Sequence, residues 1–298
     1  MKDIVAVVVT YNRKELLKEC IEALLQSENI QSDILVVDNA STDGTKAYIY
    51  EYIETGKIIY HRSEKNVGGA GGFHIGMEVA LSKGYSYVWL MDDDTIVEKD
   101  TLEKLLIADK KLDGNYGFLS SVAYWTDGSL CNMNLQRTGI KKIVTDYEED
   151  YTKIIMATFV SFFVKADTIR KVGLPIKEFF IWADDLEYSR RISMLMPCYA
   201  VTQSKVIHKM GSNARVGIEL DSQDRLWRYQ YLYRNEVYVF RREGIKGILY
   251  LFLRVALHSA RVIFKGDEAK LQKLSVVVKS FLKGFNFNPK IEYVKEEK

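Results

Sequence analysis

Over roughly the first 120 residues the apolar positions switch back and forth between two periods, continuous runs and helical spacing. Residues 4–9 are an unbroken, mostly β-branched apolar run, as a strand buried on both faces requires. Residues 13–25 follow with Leu16, Leu17, Cys20 and Leu24 at helical spacing, and DILVVD at 33–38 is a second buried strand. Ser41 is placed to cap a helix from about Asp43 carrying Ala47, Ile49, Tyr50 and Ile53. A third strand is expected at 57–61, a helix at 71–83 and a fourth strand at 85–91, ending abruptly at three aspartates. Alternating strands and helices imply a parallel α/β sheet, and ligands in such sheets lie off the carboxyl ends of the strands.

After Gly117 the texture changes. Strands are expected at 118–122, 138–144, 156–164 and 199–207, with helices at 168–172 and 185–194, so the sheet becomes mixed. From about Asp221 the chain reads as helical and basic, with 13 Lys/Arg against 4 Asp/Glu between Arg225 and Lys283. These features divide the chain into an α/β domain over 1–216 and a helical region over 217–298. A formal net charge of +2 gives no reason to expect a nucleic-acid partner. The three cysteines are scattered, without a CxxC pair, which fits a reducing compartment. The apolar run at 4–9 is too short for a signal peptide, and no stretch of about 18 uncharged apolar residues is expected to span a membrane, so a cytoplasmic location is the expectation.

Asp92-Asp93-Asp94 close the fourth strand. Adjacent carboxylates repel, and a hard divalent cation such as Mg²⁺ or Mn²⁺, shared with phosphate oxygens, relieves that repulsion. Alternation lets Asp92 and Asp94 converge while Asp93 points elsewhere. A solvated acidic turn is the plain alternative. Asp38 ends the second strand, where a carboxylate can accept from a base or a ribose, with residues 41–45 as turn and cap. Asn66 opens a segment with Gly68, Gly69, Gly71 and Gly72, whose backbone could approach a ligand closely or simply form a loop. Asp184-Asp185 follow Phe179, Phe180, Ile181 and Trp182, a setting that would desolvate a carboxylate into a better base, though acids also favour a first helical turn. Trp182 offers a flat face to a sugar ring. His208, at the end of a strand, is a candidate third metal ligand.

These motifs, in this order, resemble family 2 glycosyltransferases with the GT-A fold, over roughly residues 3–215. The Asn66-to-Phe73 segment, the triple aspartate and the Asp184-Asp185 pair followed by Glu187-Tyr188 look most like the galactofuranosyltransferase branch, with rhamnosyltransferases using dTDP-rhamnose as close relatives. The resemblance implies inverting transfer from a UDP-sugar, UDP-galactofuranose being favoured. Thr10 and Asp38 would contact the uridine, with Tyr11 and Asn12 beside them. Asn66 and the glycines would lie near the diphosphate and sugar, together with Asp92 and Asp93. Asp92, Asp94 and His208 would hold Mn²⁺ or Mg²⁺. Asp185 would be the base, and Asp184 and Trp182 would position the acceptor. A sugar nucleotidyltransferase fits less well, because the first strand is followed by Thr10-Tyr11-Asn12-Arg13 and not by a glycine-rich basic loop. A nucleotide-sugar-binding module without turnover is a third reading.

Residues 247–264 are strongly apolar, with Arg254, His258 and Arg261 at offsets of four and three, and with Arg241, Arg242, Lys246 and Lys265 flanking. This pattern suggests a helix lying on an anionic membrane at the inner face of the cell, suited to a polyprenyl-linked glycan acceptor. Packing on the catalytic domain or in a homo-oligomer is the alternative.

Overall fold

The structure is a computed structural model that describes residues 3–214, 217–266 and 268–294. The expected boundary between 216 and 217 falls against residues 215–216, outside the described residues. The chain runs β1 (Ile4–Thr10), α1 (Lys14–Leu25), β2 (Asp33–Asp38), α2 (Thr45–Tyr48), α3 (Tyr50–Glu54), β3 (Ile59–Arg62), α4 (Gly68–Ser82), β4 (Tyr87–Asp92), β5 (Thr95–Val97) and α5 (Thr101–Lys111). It continues with β6 (Phe118–Tyr124), β7 (Tyr151–Ile154), β8 (Phe162–Lys165), α6 (Ala166–Val172), α7 (Asp184–Ser193), β9 (Cys198–His208), α8 (Leu226–Arg241), α9 (Gly244–Lys265) and α10 (Lys270–Phe285). The strands form one mixed sheet in the order β3-β2-β1-β4-β8-β6-β9-β5, with β7 also paired to β9. Its first four strands are parallel, and β8 joins β4 antiparallel.

Strict alternation along β1 and β2 builds the two faces. Val5, Val7, Val9, Leu35 and Val37 pack with Phe73 and Met77 of α4, while Ala6, Val8, Ile34 and Val36 pack with Leu17 and Ile21 of α1. The approach of α4 to β1 requires glycine: a Cβ on Gly72 would lie 2.5 Å from Val9 Cγ1, and one on Gly76 2.3 Å from Val7 Cγ1. Register then gathers the polar strand ends. Thr10 pairs with Asp38, and Val9 with Asp92. After Asp92 the chain turns through Asp93-Asp94 into β5, whose Thr95 pairs with His208 of β9. One short antiparallel pair therefore brings the far strand's histidine beside the aspartates.

Several elements differ from the sequence expectation. Helix α4 starts at Gly68, inside the glycine segment, so the glycines are helical and do not form a loop before the helix. Burial against β1 overrides glycine's poor helix propensity. The helix expected from Asp43 is broken at Ile49, and Ser41 does not cap it; its hydroxyl accepts from the Asn12 N–H. Residues 138–144 form no strand beyond an isolated Arg137–Ile143 bridge, and the expected 156–164 strand is reduced to β8. Strands β5 and β7 were not expected.

In the C-terminal region α8 packs against both α9 and α10. Helix α9 is long and apolar enough to cross a membrane by length and composition, with a mean hydropathy of 1.5 over 18 residues, but no uncharged run of that length exists in it, since Arg254 and Arg261 interrupt it. Its polarity is inverted relative to a soluble protein's surface helix. Arg254 and His258, expected on an outward basic face, point inward: Arg254 Nε bonds Glu236 Oε2 at 2.6 Å, and His258 Nδ1 lies 2.7 Å from the Tyr233 hydroxyl. Leu249, Phe252, Leu253, Leu257 and Phe264 are exposed instead, Phe264 at 83%.

Candidate active site

Asp92, Asp94 and His208 each present one ligand atom, all within 4.8 Å of one another. Asp93, as alternation predicts, turns away, and accepts from Thr10 Oγ1 at 2.7 Å. Arg13, absent from the sequence candidates, reaches over the cluster from the start of α1. Its Nη1 lies 2.7 Å from Asp94 Oδ2 and 3.3 Å from Asp93 Oδ1. Burial raises Asp92 to about 6, with Asp94's charge adding to the shift, and burial raises Asp93 to about 7 against the pull of Arg13. Burial opposes ionisation of Asp94 too, but its hydrogen bond to His208 wins and lowers it. Burial likewise opposes the imidazolium of His208, and the Asp94 bond raises it to about 10.

These donors fit a hard divalent cation. Two carboxylates and one imidazole converge, and the imidazole is oriented from behind. His208 Nδ1 lies 2.8 Å from Asn134 Oδ1, which also accepts from the Cys131 thiol at 2.8 Å, and Asn134 Nδ2 donates to Thr158 Oγ1 at 2.9 Å. An amide oxygen only accepts, so Nδ1 keeps a proton in either charge state, and Nε2, which donates to Asp94 in the imidazolium, is the atom that would lose its proton to a cation. Nε2 is the atom facing Asp94 Oδ1, at 2.8 Å. Sequence reading missed Asn134, which lies in an irregular segment without any pattern.

Asp184 and Asp185 open α7 in its first turn. Asp92's charge raises both, so the pair and the cluster share one electrostatic field. Burial is the larger cause in each case. It pushes Asp185 up to about 6, where Arg137 pulls back, and Asp184 well above the carboxylate range. Trp182 is half-buried with its ring edge-on to Tyr229, centroids 5.1 Å apart. Arg228 of α8 has an Nε that is buried without a hydrogen-bond partner; burial lowers its pKa, and the charges of Arg225 and Arg13 lower it further. Through Arg13 it belongs electrostatically to the same site.

The remaining candidates divide between site wall and scaffold. The Asp38 carboxylate is fully buried, accepting from Ser41 N–H at 2.7 Å, from Arg62 Nη1 at 3.0 Å and from the Tyr60 hydroxyl. Asn12, at φ 54°, ties the two loops together, accepting from Thr42 N–H at 2.7 Å. Tyr11 is 43% exposed. Asn66 Oδ1 accepts from Gly68 N–H at 2.8 Å, starting α4. A Cβ on Gly68 would meet Phe180 O, and one on Gly71 would meet Val67, so both are required by packing, as Gly72 is; only Gly69 has open space beside it.

Residues 5–125 match the family described as Glycosyl transferase family 2. Galactofuranosyltransferase GlfT1 of Mycolicibacterium smegmatis is 26% identical over 262 residues, 82% of this chain and 85% of its own. Among solved structures, mannosyltransferase PcManGT from Pyrobaculum calidifontis, in complex with GDP-Man and Mn²⁺, has a TM-score of 0.57 at 16% identity, covering 97% of this chain and 76% of its own. S. aureus TarS 1-349 in complex with UDP-GlcNAc has a TM-score of 0.54 at 15% identity, covering 97% and 74%. Sheet order and the likeness to these structures place the chain on the GT-A fold, and within it residues 5–125 carry the match to the glycosyl transferase family 2 model.

Proposed function

We propose that this protein is an inverting, metal-dependent galactofuranosyltransferase that uses UDP-galactofuranose as donor and a polyprenyl-linked glycan as acceptor. The observation that carries the reading is the convergence of Asp92, Asp94 and His208 beside a separate acid pair, Asp184-Asp185, in the field of Asp92. The resemblance to GlfT1 supports the choice of sugar. Bound on Asp92, Asp94 and His208, a divalent cation would supply charge neutralisation for the departing diphosphate. Mn²⁺ accepts the imidazole donor more readily than Mg²⁺, which prefers oxygen. Arg13 and Arg228 supply further positive charge at this end of the site. Thr10 and Asp38, both buried, would shape the uridine side from behind by holding Asp93 and the 41–42 loop.

The acid pair divides its work by environment. Asp184, pushed up by burial and by the charge of Asp185, is the member of the pair that favours its protonated form, in which it would donate a hydrogen bond that orients the acceptor. Asp185, near 6, is ionised at neutral pH and takes the acceptor hydroxyl's proton as the new glycosidic bond forms and the bond to UDP breaks. Residues 1–216 hold the donor chemistry, and 217–298 present an outer apolar face, rimmed by Lys246, Arg261, Lys265, Lys270, Lys279 and Lys283, to the anionic inner surface of the cell membrane. The test is release of UDP or dTDP from a donor panel, with a lipid-linked glycan acceptor, in Mn²⁺ and in chelator. UDP-galactofuranose turnover that chelator abolishes is expected. Undiminished turnover in chelator, or preference for dTDP-rhamnose, would overturn the metal or the donor assignment respectively.

A further inference from the structure

The backbone leading into the acid pair is strained at non-glycine residues. Phe180 sits at φ 63°, ψ −60°, and Ile181 N–H donates to Phe179 O at 2.7 Å, which is a γ-turn of the rare, strained hand. Trp182 and Ala183 follow at φ 66° and 65°. Such conformations are unfavourable for residues with a side chain and persist only where neighbours over-determine them. Here the neighbour is α8. Asn235, fully buried, directs its side-chain amide at three carbonyls of the turn, Phe179 O at 3.0 Å, Ile181 O at 3.2 Å and Trp182 O at 2.8 Å. Arg234 sets which end of that amide faces the turn: its Nε and Nη2 donate to Asn235 Oδ1 at 3.0 and 2.8 Å, and Nη2 also bonds Glu178 O at 2.6 Å. From the opposite side, Ala70 N–H in the first turn of α4 donates to Phe180 O at 3.2 Å, and the Phe180 ring stacks on Tyr231 of α8, centroids 5.0 Å apart. The turn runs directly into Asp184-Asp185, and its last carbonyl, Ala183 O, accepts the first helical bond of α7 from Glu187 N–H at 3.0 Å.

We infer that Asn235, oriented by Arg234, is a positioning residue that holds this turn and so aims the acid pair at the acceptor hydroxyl. The inference rests on the transferase reading for its catalytic consequence, but not for its structural one. An amide has two hydrogens and three carbonyls to serve, so one bond is shared, and a hydroxyl or carboxylate at this position could not reproduce the arrangement. Helix α8, in the C-terminal region, is then part of the active site.

Two variants test this. Asn235→Leu keeps the side-chain volume and removes the donors. Arg234→Met keeps the aliphatic stem and removes the orienting bonds together with the guanidinium that lies over the Tyr231 and Phe287 rings. Hydrogen exchange in peptides covering 179–187 is expected to be about tenfold faster in Asn235→Leu, with β1 and α4 beyond its first turn unchanged. Transfer is expected to fall about 100-fold in kcat for Asn235→Leu and less for Arg234→Met, while donor KM and binding of UDP with Mn²⁺ stay within about threefold. Wild-type exchange in the turn, or a loosened turn with unchanged kcat, would overturn the assignment. So would loss of UDP binding together with β1 protection in both variants, because Asn235 would then support the whole fold. Should the wild type transfer no sugar, the function proposed above fails, and exchange alone still decides the role of Asn235.

Discussion

Asp185 makes a prediction about pH. Its carboxyl is raised to about 6, first by burial and then by the charge of Asp92, while the Leu186 N–H and Arg137 pull it down. A base must be ionised to act, so a raised value means activity is present above pH 6 and is lost as pH falls through it. The ionised fraction is about 90% at pH 7 and about 9% at pH 5, so kcat/KM should fall roughly tenfold between them and roughly tenfold more by pH 4. The groups that set the midpoint are named by the structure, and each shifts it in a known direction. Removing Arg137's charge in Arg137→Met should move the acid limb to higher pH. Asp185→Asn should abolish transfer, by about 10²- to 10⁴-fold, and leave binding of UDP with Mn²⁺ intact. The same shift has a stability consequence. The folded state binds Asp185's proton more tightly than the unfolded chain, so its ionisation opposes folding as pH rises through 4 to 6, and Asp185→Asn should raise Tm at pH 8 relative to wild type. The assay is initial-rate UDP release between pH 4.5 and 8.5 at saturating Mn²⁺, with thermal melts alongside. A flat profile between pH 5 and 7, or an acid limb unmoved in Arg137→Met, would refute the assignment of the base.

Asn134→Leu should weaken Mn²⁺ binding in the presence of UDP by about 10- to 100-fold, because His208 loses the acceptor that fixes its ring; electron paramagnetic resonance of free Mn²⁺ reads this directly, and an affinity within threefold of wild type sinks the idea. Gly72→Ala should lower stability by about 1–3 kcal/mol in urea titration, since its Cβ would lie 2.5 Å from Val9 Cγ1, whereas Gly69→Ala, beside open space, should change little; equal effects would contradict the packing argument. Leu249→Glu with Phe252→Glu should release the protein from vesicles containing phosphatidylglycerol without altering UDP binding, and unchanged co-sedimentation would point to another occupant of that face.

Strand and acid positions were legible because each announces itself locally. Ile4–Thr10 and Asp33–Asp38 are continuous apolar runs that only a doubly covered strand uses, and Asp92 and Asp38 fall where such runs stop. What could not be read depends on partners far along the chain. Asn134 meets His208 across 74 residues from an irregular segment, and Asn235 meets the 179–183 turn from a helix whose pattern looks like ordinary core. The start of α4 at Gly68 defeats propensity, because contacts with β1 and the Phe180 turn decide it. The polar side of α9 was assigned outward because its partners, Glu236 and Tyr233, belong to another helix.

That inversion links the two ends of the proposal. Helix α8 holds the turn before Asp184-Asp185 on one side and receives α10 on another, so closely that a Cβ on Gly284 would lie 2.5 Å from Val237 Cβ. Helix α9 fastens to α8 through Arg254–Glu236 and His258–Tyr233, both turned inward. A helix that turns Arg254 and His258 inward, keeps Lys246, Arg261 and Lys265 exposed, and exposes Leu249, Phe252 and Phe264 between them has the polarity of one that lies on an apolar surface with a charged rim. Docking that face on a bilayer would fix the height of α8 above the lipid, and through Asn235 the height of the acid pair. A lipid-linked acceptor is constrained in the same coordinate by its own anchor. The base and its substrate would then meet by sharing one surface, because the residues that aim Asp185 sit on α8, the helix to which α9 and its apolar face are fastened.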